Sequence, residues 1–259
     1  MTEILRRMPS DLALDGQSMG DRRQYWVTVC ADLLWYVAYG SNLARDRFAC
    51  YLSGGRPEGA MRHYNGCRDP RPARAEHPTM LPGGVYFAFN SLTWGGGMAF
   101  YDPELPGRTA ARAYLVTREQ FCDVLAQEMR REAGEDADLS VALATGRQRL
   151  GPGHYETVLK VGERDGYPML TFTAPHGVGR AVLNAPSVPY LTMLARGLRD
   201  AHGWKSGQIA AYLRACPGAR DVWSEPAIAA LLRRGAAAAA SAFSAFRPGP
   251  GLPLEPAAG

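Results

Sequence analysis

Glu128 is the side chain whose position in the sequence best suits proton chemistry. It follows Phe121 by seven residues and Val124 by four, so it falls on the apolar face of a predicted helix. A carboxylate on such a face is costly to bury and must find hydrogen-bonding partners or keep its proton. In a cavity it could take a proton from a substrate and return it, as general base and then general acid. The structural alternative is an ion pair with an arginine such as Arg112 or Arg118.

The segment Tyr39-Gly40-Ser41-Asn42-Leu43 has the composition of an anion-binding turn. It follows the short apolar stretch Leu33–Ala38 and precedes a predicted helix. Glycine permits close approach by a ligand, and successive backbone N–H groups at such a turn form a partly positive concavity. Many strand-to-helix turns have this composition, so the pattern indicates an anion site without naming the anion.

Three further features could contribute to a binding site. The run Gly95–Gly97 permits close backbone approach, although an ordinary turn or bulge has the same composition. Tyr155 and Tyr190 each stand at the start of a predicted element, where a tyrosine is commonly a packed ring with a hydrogen-bonded hydroxyl. The five histidines lack metal-ligand spacing, and Gly177-Val178-Gly179 lacks the third glycine of a dinucleotide fingerprint. We therefore expect neither a metal nor a nucleotide cofactor.

A mixture of strands and helices must position these residues. Thr117 and Gln120 form a capping-box pattern, which predicts a helix over Thr117–Glu132 that carries Glu128. The Asp165-Gly166 pair predicts the turn of a hairpin. The predicted strands are Leu33–Ala38, Gly84–Phe89, a short one through Met98, Ala111–Val116, Tyr155–Val161 and Pro168–Thr173, and the other predicted helices are Leu43–Leu52, Tyr190–Gly203, Gly207–Arg214 and Pro226–Arg234.

The length of 259 residues favours one domain with extensions at both ends. We expect the domain to span about residues 32–218, after an irregular extension over 1–31 for which disorder is one of the expectations. Residues 219–259 are expected to form a short helix and an Ala/Pro/Gly-rich tail that is disordered over 236–259. Residues 56–79, which are rich in Pro, Gly and Arg, are expected to form a long surface loop.

Composition indicates a globular protein without nucleic-acid or membrane partners. Apolar residues make up 46% of the chain and charged residues 21%, while the net charge is only +4 with scattered arginines. The five cysteines are odd in number and include no C-x-x-C pair, which argues against a disulfide framework or a zinc ribbon. Because no apolar run approaches the ~18 residues of a membrane span and no signal peptide is evident, we expect a cytoplasmic protein.

Four separate segments resemble, in order, the γ-glutamyl cyclotransferase family. The turn Tyr39–Leu43 is similar to its signature loop, and Thr93–Ala99 is similar to its Trp-x-Gly-Gly-apolar-Ala strand. Gln127-Glu128 matches the segment that supplies its catalytic glutamate, and Pro186–Tyr190 resembles its Pro-Ser-x-x-Tyr element. The resemblance covers about residues 33–217 and suggests a bacterial member with inserted loops. It implies an α/β (α+β) fold with a small, closed or nearly closed mixed β-barrel flanked by helices.

The chemistry implied by the resemblance is an intramolecular aminolysis without any cofactor. The α-amine of a γ-glutamyl amide attacks its own γ-carbonyl, which gives 5-oxoproline and releases an amine. Glu128 would move the proton, backbone amides of the turn would hold the carboxylate or the oxyanion, and Tyr190 would donate a hydrogen bond. The substrate-binding residues so implied are Tyr36, Val37, Ala38, Tyr39, Gly40, Ser41, Asn42, Gly96, Gly97, Tyr155 and Tyr190.

The sequence leaves the amine partner and two other functions open. An insertion over Met129–Pro152 could be a lid or a recognition surface, and the amine could be an amino acid, a polyamine or a biosynthetic intermediate. One alternative is a non-catalytic member that binds a γ-glutamyl-like ligand or a protein. Another is an amide hydrolase in which Glu128 activates water and glutamate is released. A zinc deacetylase is disfavoured because the sequence offers no convincing His/Asp ligand cluster.

Overall fold

The fold is built on a six-stranded mixed sheet with helices on both faces. The computed structural model describes residues 32–57 and 60–233, so the predicted extension over 1–31 and the predicted tail over 236–259 lie outside the described residues. The strands are β1 (Leu33–Ala38), β2 (Ala75–Pro82), β3 (Gly84–Ala88), β4 (Met98–Asp102), β5 (Arg108–Thr117), β6 (Arg147–Arg149), β7 (Thr157–Arg164) and β8 (Tyr167–Thr173). The α-helices are α1 (Arg45–Ser53), α2 (Arg118–Glu128), α3 (Ser140–Thr145), α4 (Val188–His202), α5 (Ser206–Ala215) and α6 (225–233), and short 3-10 helices span Ser41–Leu43 and Val178–Arg180.

Strand β1 lies in the interior of the sheet, whose order is β2-β5-β1-β8-β7-β6. It runs parallel to β8, with Trp35 opposite Met169 and Tyr36 opposite Leu170. The pairs β2–β5, β6–β7 and β7–β8 are antiparallel. All six residues of β1 are buried, as expected for a continuous apolar run covered on both faces. The predicted α/β class is therefore confirmed.

Of the closed or nearly closed barrel expected from the sequence, the closed form is wrong, because the described strands do not form one continuous ring. Strands β3 and β4 pair with each other in a separate two-stranded sheet. Between β4 and β8, the hydroxyl of Thr173 accepts from the Tyr101 amide at 3.1 Å and donates to the Tyr101 carbonyl at 2.7 Å. The Thr173 side chain thus occupies the Tyr101 N–H and C=O groups that β4 would need in order to pair with β8 and close a barrel.

Side chains on the two faces of β1 belong to two different apolar cores. Leu34, Tyr36 and Ala38 pack with apolar residues of α1 and α2 on one face. Trp35 and Val37 pack with residues of α4, α5 and α6 on the other. Alternation of side chains along the strand therefore places α1 and α2 opposite α4 and α5, and the turn after β1 lies where these layers meet.

Several predicted elements are confirmed, and the predicted loop and insertion need correction. The hairpin turn at Asp165 and Gly166 has the expected left-handed φ angles of 52° and 80°. The predicted surface loop over 56–79 is wrong at its end, because β2 begins at Ala75 and pairs with β5. The predicted insertion contains α3 and β6, and β6 extends the sheet beside β7. Within the described ranges, no helix has the length and apolar character needed to span a bilayer.

Helix α2 ends at Glu128 and not at the predicted Glu132. The cause is Arg130, whose φ of 59° is left-handed. Its amide donates to the Gln127 carbonyl at 3.1 Å, and the Arg131 amide donates to the Ala126 carbonyl at 2.8 Å. These two bonds form a Schellman motif, which closes the helix directly after its carboxylate.

Candidate active site

A cavity of about 340 Å³ opens where the turn after β1 meets the end of α2. It contains the predicted base and seven of the eleven predicted binding residues. Because these residues come from β1, its turn, α2, the segment before β7, and α4, the fold has brought together parts that are far apart in sequence. The predicted residues in the cavity wall are Tyr36, Tyr39, Gly40, Ser41, Asn42, Glu128, Tyr155 and Tyr190.

Four predicted binding residues do not line this cavity. Val37 and Ala38 point into the two apolar cores on either side of β1. Gly96 and Gly97 pack against the backbone of residues 184–187, and the Gly97 amide donates to the Ala185 carbonyl at 2.7 Å. A Cβ atom on Gly97 would lie only 2.0 Å from the Asn184 carbonyl oxygen. The observed role of these two glycines is therefore close backbone packing.

The turn Tyr39–Leu43 forms one wall of the cavity. It makes a single 3-10 turn in which the Leu43 amide donates to the Gly40 carbonyl at 3.0 Å. The hydroxyl of Tyr114 in β5 donates to the Asn42 carbonyl at 2.8 Å and ties the turn to the sheet. A Cβ atom on Gly40 would lie 3.4 Å from the Tyr190 hydroxyl, an ordinary contact distance, so the Tyr190 hydroxyl lies directly beside the turn.

Glu128 forms the opposite wall and faces the turn. The predicted capping box of Thr117 and Gln120 starts α2, and Glu128 is the last residue of that helix. The Asn42 amide nitrogen donates to Glu128 Oε1 at 3.3 Å and to the Tyr36 hydroxyl at 3.1 Å. The amide thus fixes the direction of the carboxylate.

The neighbour of Glu128 anchors the helix end. The Gln127 side chain donates to the Tyr51 carbonyl at 3.0 Å and accepts from the Gly66 amide at 3.3 Å. The ion pairs considered from the sequence are not formed, because Arg112 pairs with Glu76 and Asp200. Glu128 has no salt bridge to any described residue, which leaves its carboxylate available to a ligand.

Buried tyrosines supply the rest of the cavity wall. Burial raises the pKa of Tyr36, and the nearby Glu128 carboxylate raises it further. Burial also raises the pKa of Tyr190, although the backbone amides of Ala99 and Ser41 oppose part of this rise. Tyr155 donates to the Ala99 carbonyl at 2.8 Å. These hydroxyls remain protonated and can position a ligand without adding charge.

Arg47 in α1 is a buried cation in the cavity wall that was not predicted. It is 2% exposed, and its Nη2 donates to the hydroxyls of Tyr51 at 3.1 Å and Tyr64 at 2.7 Å. Among the described residues, its Nε and Nη1 have no hydrogen-bond acceptor and no carboxylate forms a salt bridge with it. Burial lowers the pKa of Arg47, but Tyr51, Tyr64 and Glu128 raise it overall. The guanidinium therefore stays charged.

A sequence signal for Arg47 exists. It follows Leu43 by four residues and precedes Tyr51 by four, the same spacing that singles out Glu128. Other unpredicted residues of the wall have no comparable local signal. Most lie in loops, and Met98, Ala99 and Phe172 lie in β4 and β8. These other residues are Arg62, Tyr64, Asn90, Ser91, Leu92, Thr93, Trp94, Met98, Ala99, Met129, Arg130, His154 and Phe172.

The fold and site define a mixed α/β protein with a tyrosine-walled cavity that holds one carboxylate and one buried cation. No family model matches the chain. It is similar to histone deacetylase 5 of Arabidopsis thaliana, with 27% identity over 232 residues. That alignment covers 82% of this chain but only 35% of the plant protein. In the part of the chain that the structure describes, no three His, Cys, Asp or Glu side chains are grouped to hold a metal ion.

Two solved structures show a low similarity to this chain. A γ-glutamyl cyclotransferase has 15% identity and a TM-score of 0.38, with 66% of this chain and 81% of that chain covered. The uncharacterized Homo sapiens protein loc79017 has 14% identity and a TM-score of 0.37, with the same coverage. Similarity at this level assigns neither ligand nor activity. Any inference about function therefore rests on the residues of the cavity.

Proposed function

We propose that the protein is a γ-glutamyl cyclotransferase-type lyase that converts a γ-glutamyl amide into 5-oxoproline and an amine. The observation that carries the proposal is the Asn42–Glu128 hydrogen bond of 3.3 Å across the cavity, which directs the carboxylate at the turn after β1. The four sequence segments that resemble the γ-glutamyl cyclotransferase family support the same reaction. A base, a polar wall and a closed space are what an intramolecular aminolysis requires.

The charges of the cavity complement the head of a γ-glutamyl unit. Its α-ammonium group binds Glu128 and the side-chain oxygen of Asn42, which has no described hydrogen-bond donor. Its α-carboxylate lies in the positive field of Arg47. The Tyr190 hydroxyl and the backbone at Gly40 hold the γ-carbonyl oxygen. Opposite charges on the two walls thus fold the substrate so that its amine meets its own carbonyl carbon.

The proton transfers need only Glu128. The carboxylate removes a proton from the ammonium group, and the free amine then forms a C–N bond with the γ-carbonyl carbon. The resulting tetrahedral intermediate carries an oxyanion and a positively charged ring nitrogen with two protons. Glu128 returns its proton to the departing nitrogen as the oxyanion collapses and the C–N bond to that nitrogen breaks. The carboxylate then takes the second proton from the ring nitrogen and passes it to the released amine, so the products are 5-oxoproline and an ammonium ion, and the carboxylate is regenerated.

The test is to incubate the protein with a panel of γ-glutamyl amides and to measure 5-oxoproline by mass spectrometry. We expect Glu128→Gln to lower turnover by about 10²-fold or more, because positioned proton transfer contributes 10²–10⁴-fold. Glu132→Gln is the matched control, since Glu132 is exposed and lies outside the cavity wall. It should retain the wild-type rate.

The products distinguish the alternative functions. Release of glutamate in place of 5-oxoproline would identify an amide hydrolase and overturn the proposal. Absence of turnover by the wild-type protein, together with a ligand-induced rise in its melting temperature, would identify a binding protein. Equal activity of Glu128→Gln and wild type would remove Glu128 from the mechanism.

A further inference from the structure

The predicted insertion over Met129–Pro152 has its two ends joined to each other beside the candidate base. The thioether sulfur of Met129 accepts from the Tyr155 amide at 3.4 Å. Two residues further on, Arg131 forms an ion pair with Glu156, which directly precedes β7. The end of α2 and the segment before β7 therefore contact each other at two successive places.

Glu156 is the buried member of this ion pair. Its side chain is 5% exposed, whereas that of Arg131 is 59% exposed. Oε1 of Glu156 accepts from the Arg131 guanidinium, and Oε2 accepts from the Gly153 amide at 2.6 Å. Burial of a carboxylate is costly unless its oxygens have donors. Both oxygens have one here, so the carboxylate holds residues 153–156 against the end of α2.

The middle of the insertion packs onto the domain. Leu139 and Ala142 are fully buried in the same apolar core as Phe121 of α2. The Arg118 guanidinium donates to the Ala137 carbonyl at 3.2 Å. Strand β6, near the far end of the insertion, pairs with β7. These contacts favour a fixed support over the movable lid considered from the sequence.

The joined ends carry two residues of the cavity wall. Glu128 directly precedes Met129, and Tyr155 directly precedes Glu156. The Tyr155 hydroxyl also donates to the Ala99 carbonyl at 2.8 Å, which ties this segment to β4. The joined ends thus connect the candidate base to β4 through Tyr155.

The ion pair lies beside a strained helix end. Arg130 occupies the left-handed position of the Schellman motif that ends α2, with φ of 59°, where glycine is the usual residue. A residue with a Cβ atom pays a backbone cost in this conformation, which weakens the helix end. The next side chain, that of Arg131, is the one that pairs with Glu156. An ion pair at this point opposes fraying of the helical turn that contains Glu128.

We infer that Glu156, through Arg131, positions Glu128 for proton transfer. The inference rests on the proposed function, in which Glu128 is the base. Arg131 and Glu156 do not line the cavity, so they act on the base and not on the substrate. A reacting group misplaced by about 1 Å can lose about 10²-fold in rate. Loss of the ion pair should therefore lower kcat, whereas KM should change little because the other groups that bind the substrate stay in place.

Arg131→Gln tests the positioning role from the exposed side of the ion pair. On the γ-glutamyl amide that wild type converts fastest, we expect kcat for 5-oxoproline formation to fall about tenfold and KM to change by no more than about twofold. Arg131→Lys can form the same contact, which uses a single guanidinium nitrogen, and should recover most of the wild-type kcat. Lys160→Gln is the matched control, because it removes the Lys160–Glu163 ion pair outside the cavity wall. It should retain the wild-type kcat.

Two double variants show whether Arg131 acts through the named partners. Arg131→Gln combined with Glu156→Gln should have the same kcat as either single variant, because all three lack the same ion pair. The glutamine oxygen can still accept from the Gly153 amide, so that bond is kept. Arg131→Gln combined with Glu128→Gln should have the kcat of Glu128→Gln alone, because no base is then left to position.

The outcomes separate the inference from the proposed function. A wild-type kcat in Arg131→Gln, or a loss of the same factor in the Glu128→Gln background, would overturn the positioning role and leave the cyclotransferase function in place. A lower melting temperature with unchanged kcat and KM would assign the ion pair to stability alone and also overturn it. A raised KM with unchanged kcat would do the same by assigning Arg131 to substrate binding. No 5-oxoproline from wild type would overturn the proposed function, and the inference would fall with it.

Discussion

At the scale of single residues, the cavity wall contains one carboxylate and one buried guanidinium, each held in place by hydrogen bonds to uncharged side chains. Glu128 is oriented by Asn42, and Arg47 is fixed by Tyr51 and Tyr64. Neither charged group is neutralised by a described partner of opposite sign within salt-bridge distance. A buried cation without such a partner is costly, and the substrate carboxylate proposed above would offset that cost.

Arg47→Met tests whether this cation recognises the carboxylate of the γ-glutamyl unit. Methionine keeps much of the volume but removes the charge, so binding of 5-oxoproline should weaken at least tenfold. Binding of 2-pyrrolidinone, the same ring without the carboxylate, should change little. NMR titration of both ligands against wild type and variant measures this difference. If the binding of both ligands weakened equally, Arg47 would only support the positions of Tyr51 and Tyr64.

At the scale of elements, the run Gly95–Gly97, which the sequence predicts as a binding feature, packs the start of β4 against the segment before α4. Gly97 lies against the backbone at Asn184 and Ala185, just before α4, which carries Tyr190. The Ala99 amide, two residues after Gly97, donates to the Tyr190 hydroxyl at 3.3 Å. The close packing at Gly97 thus brings β4 and the start of α4 together at the cavity.

Gly97→Ala should destabilise the protein by about 2 kcal/mol or more, because the added methyl group requires a backbone shift. The Cβ atom would lie 2.0 Å from the Asn184 carbonyl oxygen. Gly207→Ala is the matched control: Gly207 lies in α5, and a Cβ atom there meets nothing within 4 Å. That change should stabilise by about 0.5–1 kcal/mol through helix propensity. Urea denaturation measures both, and similar effects of the two substitutions would refute the packing role.

Elements with strong local signals could be predicted from the sequence, whereas elements formed by distant pairing could not. The capping box before α2 and the Asp165-Gly166 turn are local patterns, and both are confirmed. Strand β2 could not be predicted because it contains Pro78, which argues against a strand. Proline is tolerated in strands at the edge of a sheet, and β2 lies at such an edge. Strand β6 is three polar residues, and its pairing with β7 alone defines it.

The same distinction applies to the candidate site. Glu128 and the turn Tyr39–Leu43 follow from local spacing and composition. Arg62 enters the cavity from a loop, and its position depends on the Gln127 carbonyl. The predicted helix over Thr117–Glu132 contains Arg130, so the prediction does not place its side chain at the cavity. Only the observed end of α2 reveals it at the cavity mouth.

At the scale of the whole molecule, half-buried histidines and paired carboxylates set the response to acid. Burial lowers the pKa of His202, and the nearby Arg112 adds to this effect, although the Ala111 carbonyl opposes it. Burial likewise lowers the pKa of His154. Burial alone would raise the pKa of Glu76, but its bonds to Arg45 and Arg112 lower it overall. The folded state therefore favours neutral histidines and an ionised Glu76.

The signs of these shifts predict two successive losses of stability on acidification. Above the unfolded-state histidine pKa of about 6.5, the histidines are neutral in both states and the free energy of unfolding stays flat. As the pH falls below that value, the unfolded chain binds protons that the folded state resists, so stability declines. A further decline follows below about pH 4.3, where the unfolded chain protonates Glu76 first.

His202→Gln should flatten the first of these declines. The His202 ring nitrogen lies 3.0 Å from the Ala111 carbonyl oxygen, and a glutamine amide can donate the same bond without titrating. The free energy of unfolding of the variant should therefore fall less than that of wild type between pH 7.5 and 5.5. Urea denaturation at both pH values measures the difference, and His63→Gln, at an exposed histidine, is the control. An unchanged decline in His202→Gln would remove this histidine from the acid response.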